Sequence, residues 1–298
     1  MKDKVLVLMA TYNGEKYLRE QLDSILRQIG VQVRILVRDD GSTDKTIEIL
    51  EEYAQKSDLE WYTGEHLNVS RGNLDLMKKA SKTDYLYFAF ADQDDVWDDD
   101  KLSAGINEIR EFTCPALYYC GQRLVDADLN LIGDHRLNAE RDLKTRFILS
   151  DFAGCTGVFN RKLLEKTVIY DPGYILMHDT WILKICLAVG GKVIVDPEMH
   201  MDYRQHGGNS IGLNRSLLAY LKQVYQYLFV YDVESQMIEL AKGYSEEMVS
   251  PYKELCDWVC GYRKDRKKKA LLLDKKNVDF CAKGLNLTYA IKVHFNKL

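Results

Sequence analysis

No apolar run in this 298-residue sequence approaches the length that crosses a bilayer, and its seven cysteines show no paired CxxC spacing. The first absence excludes a chain built on membrane-spanning helices. The second removes the usual sign of a zinc or disulfide framework, so the cysteines are expected to be reduced core residues of a cytosolic protein. Positive charge is not in excess either: 41 Lys and Arg against 45 Asp and Glu leave a net charge of −4, which argues against a general nucleic-acid binder. The apolar stretch Val5–Ala10 is too short for the core of a signal peptide. A cytoplasmic location is expected, with room for peripheral contact at the inner face of the cell membrane. No glycine-rich loop with a basic residue follows the first apolar stretch, where Thr11-Tyr12-Asn13-Gly14 stands instead. That sets aside a sugar nucleotidyltransferase. The six histidines do not supply the helical pattern of an HD-type phosphohydrolase, despite the pair His178-Asp179. A receiver-type signalling domain would need about half this length.

What the sequence does have is acid at the ends of apolar strands. Tyr85–Ala91 reads as a buried strand and runs directly into Asp92, Asp94 and Asp95. Carboxylates so close repel one another unless a cation sits among them, and hard divalent ions take oxygen ligands while bridging to phosphates. A metal–diphosphate site is therefore preferred here to a solvated acidic turn. Asp98, Asp99 and Asp100 fit the turn better, as cap and first-turn acids of a helix over residues 99–112. A second acidic strand end follows residues 32–38, at Asp39-Asp40-Gly41-Ser42.

Taken in order, the chain alternates strand and helix. A strand at residues 4–10 and a helix over 15–29 lead to the second strand, and a helix over 45–56 follows. A strand at 59–63, a loop holding Asn68, Arg71 and Asn73, and a helix over 74–81 return to the central strand. This order favours right-handed crossovers and a mostly parallel sheet whose strand ends share one edge. With 46% hydrophobic and 29% charged residues, the chain is long enough for one sizeable α/β core and an appendage.

Three motifs, each after a strand, then carry a resemblance: ATYNGEKYLREQLDSIL at Ala10–Leu26, RDDGSTDKT at Arg38–Thr46, and FADQDDVW at Phe90–Trp97. Together they resemble the N-terminal half of family-two inverting glycosyltransferases, which have the GT-A fold. The resemblance implies a GT-A domain at residues 1–212, with a nucleotide-sugar-binding half at 1–100 and an acceptor half at 101–212. A helical region would follow at 213–298. It implies a nucleotide-sugar donor lying beside Thr11, Tyr12 and Asn13, with Asp40 on the pyrimidine base and Asp39 near it. Asp92-Gln93-Asp94 matches the family's DxD motif, which implies Asp92 near the ribose and Asp94 on a divalent Mg2+ or Mn2+. An ion there would offset charge growing on the leaving diphosphate, and a carboxylate can accept from a uracil or thymine N–H.

In the second half, the small residues Gly154, Cys155 and Thr156 allow a close backbone approach and resemble the family's acceptor-side segment. His178-Asp179-Thr180-Trp181 precedes an apolar helix read over residues 182–189, where Asp179 suits an N-cap. The resemblance instead makes Asp179 the general base, with His178 and Trp181 on the acceptor side; a Glu-Asp pair is the commoner form, so His178 is a departure. After a strand at 192–196, the loop Tyr203–Gly212 resembles that of rhamnosyltransferase-like members. By that resemblance His206 completes the metal shell, Arg204 contacts phosphate, and the donor is dTDP-L-rhamnose.

From Asn214 the pattern turns helical, with an apolar stripe from Leu217 to Phe229 and helices over 233–243 and 250–264, continuing at 266–273. The basic run Arg263–Lys269 suits an anionic membrane surface, a solvated face or a homodimer contact. The expected protein is an inverting, metal-dependent hexosyltransferase of bacterial cell-surface polysaccharide biosynthesis. It would move L-rhamnose to a saccharide or lipid-linked acceptor. A UDP-hexose-dependent enzyme and a non-catalytic nucleotide-sugar-binding module are the alternatives.

Overall fold

A computed structural model describes residues 2–206 and 231–298. The opening strand β1 (Asp3–Thr11) explains why a run with no polar alternation is stable. Its Val5, Val7 and Met9 face one apolar core and its Leu6 and Leu8 face another, so both sides of the strand are buried. Beside it lie β2 (Val31–Asp39), β3 (Leu59–Thr63) and β4 (Tyr87–Ala91), all parallel. Their connections α1 (Leu18–Leu26), α2 (Thr46–Lys56) and α3 (Val69–Ala80) cover the two faces.

The second half is mixed. β6 (Ala116–Val125) and β9 (Lys192–Arg204) are parallel, but β8 (Gly157–Asn160) is inserted antiparallel between β4 and β6. The two-residue β5 (Val96–Trp97) pairs antiparallel with β9, and β7 (Leu131–His135) with β6. The sheet therefore runs β3-β2-β1-β4-β8-β6-β9-β5 and curls, since β5 follows β4 by four residues yet lies at the far end. Helices α4 (Lys101–Ile109), α5 (Leu143–Ile148), α6 (Arg161–Val168) and α7 (His178–Ala188) complete the layers.

Several boundaries differ from expectation for identifiable reasons. The α3 helix starts five residues early because the Asn68 side chain accepts from the Arg71 amide, an N-cap that places Arg71 and Asn73 inside the helix. α4 starts at Lys101 because the preceding acids are tied elsewhere: Asp98 pairs with Arg123 at 2.6 Å and Asp99 with Arg27 at 2.8 Å. α7 begins at His178, so Asp179 lies in its first turn and is not the N-cap. β9 runs on through Pro197 to Arg204, past its expected end at residue 196. Register shifts against β6 around Gly121 absorb the proline, and Tyr203 and Arg204 become strand residues.

Among the described residues four C-terminal helices follow: α8 (Val233–Tyr244), α9 (Tyr252–Gly261), α10 (Arg266–Leu273) and α11 (Lys283–His294). Met237, Leu240, Val259 and Val293 join the same apolar core as Leu6, Leu8 and Trp181. The stripe from Leu217 to Phe229 and the Gly207–Gly212 part of the expected loop lie outside the described residues.

Candidate active site

The carboxyl ends of β1, β2 and β4 meet at one edge, as parallel strands require, and Thr11 is in register with Asp39. Asp39 is fully buried and builds this edge. One carboxylate oxygen accepts from the Thr11 hydroxyl at 3.1 Å, and the other from the Gly41 and Ser42 amides at 3.0 and 2.8 Å. Asp40 faces the cavity, ion-paired to buried Arg38, and accepts from the Leu67 amide at 3.3 Å. Asn13 adopts a positive φ of 48°, which Asn tolerates, and its side-chain oxygen accepts from the Thr43 amide at 2.8 Å. Its side chain thus joins two loops and stays out of the cavity lining. Tyr12 remains 46% exposed, its ring 4.6 Å from that of His66.

Gln93, between the two acids of the DxD motif, clamps this loop: its Oε1 accepts from the Tyr12 amide at 2.9 Å and its Nε2 donates to the Tyr12 carbonyl at 3.2 Å. A Cβ on Gly14 would come within 2.5 Å of that same Oε1, so only glycine leaves the clamp in place.

Beyond the clamp the acids converge. Burial and the neighbouring Asp94 charge push the Asp92 carboxyl up to about 7, and burial with the two other acids pushes that of Asp95 well up. His206 Nε2 lies 2.7 Å from Asp94 Oδ2, bringing an imidazole from 112 residues further along the chain onto the motif. The Asp94 carboxylate, close to Asp92, offers oxygen donors that suit Mn2+ or Mg2+, and the imidazole beside it adds a nitrogen donor that a transition ion such as Mn2+ takes more readily than Mg2+. Asp92, Asp95 and Cys155 also offer ligand atoms within 4.8 Å of one another. That second set fits a hard ion poorly, because burial and the adjacent acids keep the Cys155 thiol protonated.

Arg204, expected at the phosphates, is held by protein groups. It is 1% exposed; its Nε donates to the Asp94 carbonyl at 2.8 Å, its Nη1 to the Ala127 carbonyl at 2.6 Å, and it pairs with Glu20. The guanidinium therefore props the acidic loop from behind and does not line the cavity. Below it, the Lys101 ammonium is buried 3.6 Å over the Trp97 ring.

The opposite wall is α7 and the turn before β8. Asp179 is 7% exposed; Oδ2 accepts from the Gly154 amide at 3.2 Å and Oδ1 from the Thr180 amide at 2.5 Å. Burial outweighs these bonds and raises its carboxyl to about 6. His178 packs edge-on to Phe90, and burial alone lowers it to about 3, so the ring is neutral. Thr180 is held by Gln236 of α8, whose Nε2 donates to the Thr180 hydroxyl at 3.0 Å. Cys155 and Gly154 line the cavity, whereas Thr156 turns its hydroxyl onto the Ala153 carbonyl at 2.7 Å. Trp181, expected on the acceptor side, is fully buried against Tyr244 instead, because α7 is a core helix with apolar residues on most of its surface.

Gly154 is where this wall is tightest. A Cβ there would sit 2.6 Å from His178 Nε2 and 3.6 Å from Asp179 Cβ. Gly154→Ala is expected to destabilise the protein by about 1–3 kcal/mol in thermal unfolding. It should also lower turnover more than nucleotide affinity, since it displaces the Asp179 anchor.

One cavity of about 460 Å3, a common size for small-molecule sites, joins these parts. Of the residues singled out by sequence, Thr11, Tyr12, Asp40, Asp92, Asp94, Gly154, Cys155, His178 and Asp179 line it. Asn13, Asp39, Thr156, Trp181, Arg204 and His206 stand behind or beside it. Lining residues without a prior role are His66, Asn68, Asn73 and Tyr203. In the sequence Asn68, Arg71 and Asn73 read only as a polar loop and Tyr203 as the start of the Tyr203–Gly212 loop, while His66 carries no local signal.

The architecture is that of GT-A glycosyltransferases. Staphylococcus aureus TarS in complex with UDP-GlcNAc matches all of this chain and 82% of its own at a TM-score of 0.59, with 16% identity. The mannosyltransferase PcManGT from Pyrobaculum calidifontis, in complex with GDP-Man and Mn2+, matches all of this chain and 87% of its own at 0.59, with 15% identity. The family profile of glycosyl transferase family 2 matches residues 6–168, and the chain belongs to that family. A dTDP-rhamnosyl transferase, RfbG of Shigella flexneri, is 30% identical over 236 residues, covering 72% of this chain and 78% of the relative. An uncharacterized glycosyltransferase of Rickettsia typhi is 25% identical over 253 residues, covering 83% and 77%. The protein is thus a family-two glycosyltransferase with a nucleotide-sugar donor.

Proposed function

We propose that the protein transfers L-rhamnose from dTDP-L-rhamnose to a saccharide or lipid-linked acceptor, with inversion, in the assembly of a bacterial surface polysaccharide. The observation that carries the reading is the single cavity that gathers Asp40, the Asp92 and Asp94 pair, and Asp179 from three separate segments. In this reading the pyrimidine base lies by Tyr12 and His66 with its N–H toward Asp40, and Asp92 takes the ribose. Asp94 and His206 would hold a divalent ion, which offsets charge on the departing diphosphate. Asp179 takes the proton from the acceptor hydroxyl, and that oxygen attacks the anomeric carbon from the face opposite the leaving group. His178 is neutral and so adds no positive charge of its own beside Asp179. The choice of rhamnose is supported by the likeness to RfbG and by the RQHGxNxxG stretch at Arg204–Gly212.

The base role has a pH signature. A base must be ionised, so with the Asp179 carboxyl raised to about 6, turnover should rise as pH increases through 6 and level off above 7. The same shift acts on stability with the opposite sign. The buried carboxyl favours the folded state while protonated, and that contribution is lost as pH rises through 6.

The direct test is release of nucleoside diphosphate from dTDP-L-rhamnose, UDP-hexoses and GDP-mannose, with Mn2+, Mg2+ or EDTA. Metal-dependent release from dTDP-L-rhamnose alone is the expected result. Release from a UDP-hexose alone would reassign the sugar, and nucleotide binding without release to any tested acceptor would favour a binding module.

A further inference from the structure

A second feature lies away from this cavity, where α10 meets the end of α11. Lys269 Nζ donates to the His294 carbonyl at 2.7 Å and to Asn296 Oδ1 at 3.0 Å, closing the two helices onto each other. Beside this closure is an open cleft of about 490 Å3 lined by Arg263, Lys264, Arg266, Lys269 and His294, with Ala270 and Leu273 among them and, among the described residues, no acidic one. Arg263 is paired with Glu234, but exposed Lys264, Arg266 and Lys267 have no acidic partner among the described residues.

The neighbouring face of α11 is apolar where it needs no core. Tyr289 and Val293 point inward and are buried, yet Leu287, Ile291 and Phe295, four residues apart and so in one row, are 64%, 40% and 68% exposed. Leu273 adds a further apolar side chain, 40% exposed, from α10. A merely solvated basic face has no use for such a row. A two-fold contact with another copy would set the unpaired cations of each against the other. Cations flanking an exposed apolar row match an anionic lipid surface, in which charge meets phosphate and the row enters the interfacial layer.

We propose that the α10–α11 face seats the protein on an anionic phospholipid bilayer, with the cleft cations at the phosphate headgroups and Leu287, Ile291 and Phe295 inserted between them. The proposal stands independently of the donor and of the base.

The test is co-sedimentation of the full chain with phosphatidylcholine vesicles, with and without phosphatidylglycerol. Binding is expected only to the anionic vesicles and should weaken with salt. Lys264→Glu/Arg266→Glu/Lys267→Glu should lower partitioning by at least about 100-fold, and Leu287→Ser/Phe295→Ser by at least about tenfold. Both variants should keep nucleotide affinity and the thermal unfolding midpoint, which separates lost docking from lost folding. Equal binding to neutral vesicles, no binding at low salt, or undiminished binding of the charge-reversed variant would overturn the proposal. Inorganic phosphate displacing the protein beyond the effect of ionic strength would make the cleft a site for free phosphate. A wild-type dimer abolished by Leu287→Ser/Phe295→Ser would assign the face to a second copy.

Discussion

Asp179→Asn is expected to lower transfer by about 10²–10⁴-fold, the range that a positioned general base contributes, while nucleotide affinity stays close to wild type. The substitution keeps the volume of the side chain and one of its two backbone hydrogen bonds, since an amide oxygen can accept from either the Gly154 or the Thr180 amide. What is lost is the capacity to hold a proton from the acceptor. The rising limb of the pH profile near 6 should vanish with it, a change that a purely structural effect would not produce. Single-turnover transfer, nucleotide calorimetry and thermal unfolding together decide the matter. Wild-type turnover in this variant would remove Asp179 from the base role.

Asp94→Ala should act on the other side of the reaction. Groups that only support metal ligands typically contribute 10–100-fold in affinity, so removal of a direct ligand should weaken metal-dependent nucleotide binding by at least about 100-fold. The His206 ring would lose its 2.7 Å partner, whereas Arg204, which holds the Asp94 main-chain carbonyl, would keep its own. The loop should therefore keep its shape. Calorimetric titration of dTDP with Mn2+ and with EDTA separates the cases: a variant that matches wild type in EDTA and fails to gain from Mn2+ has lost the ion alone. If its gain from Mn2+ is unchanged, the ion binds elsewhere.

The donor side of the fold was readable because its signals are local. An apolar run such as Val5–Met9 and the acids that follow each strand define both a parallel sheet and the edge where its ends meet. The acceptor side was less so. Trp181 and Arg204 stand in polar or small-residue contexts that suggest a site, yet both are buried, Trp181 against Tyr244 and Arg204 against the Asp94 carbonyl, which no local pattern signals. Read from the sequence, strand β9 stops before Pro197, because nothing there marks the register shift opposite Gly121 that absorbs the proline. His66 reaches the cavity only through tertiary folding, so no spacing rule could have found it. The Gln236 contact that fixes Thr180 comes from a helix expected to be an appendage, and it ties that region to the wall of the site.

Arg204 also bears on the order in which the chain can mature. Its contacts to Ala127, Asp94 and Glu20 span 77, 110 and 184 residues, and such long loops close late because their entropy must be lost before the bonds form. A chain still emerging from the ribosome has its DxD acids in place well before the guanidinium that supports them. The nascent donor half is therefore expected to be a poor nucleotide binder, and a fragment ending before β9 is complete should not substitute for the whole. Donor binding at full strength is expected only once residue 204 has been made and its contacts to Ala127, Asp94 and Glu20 have closed.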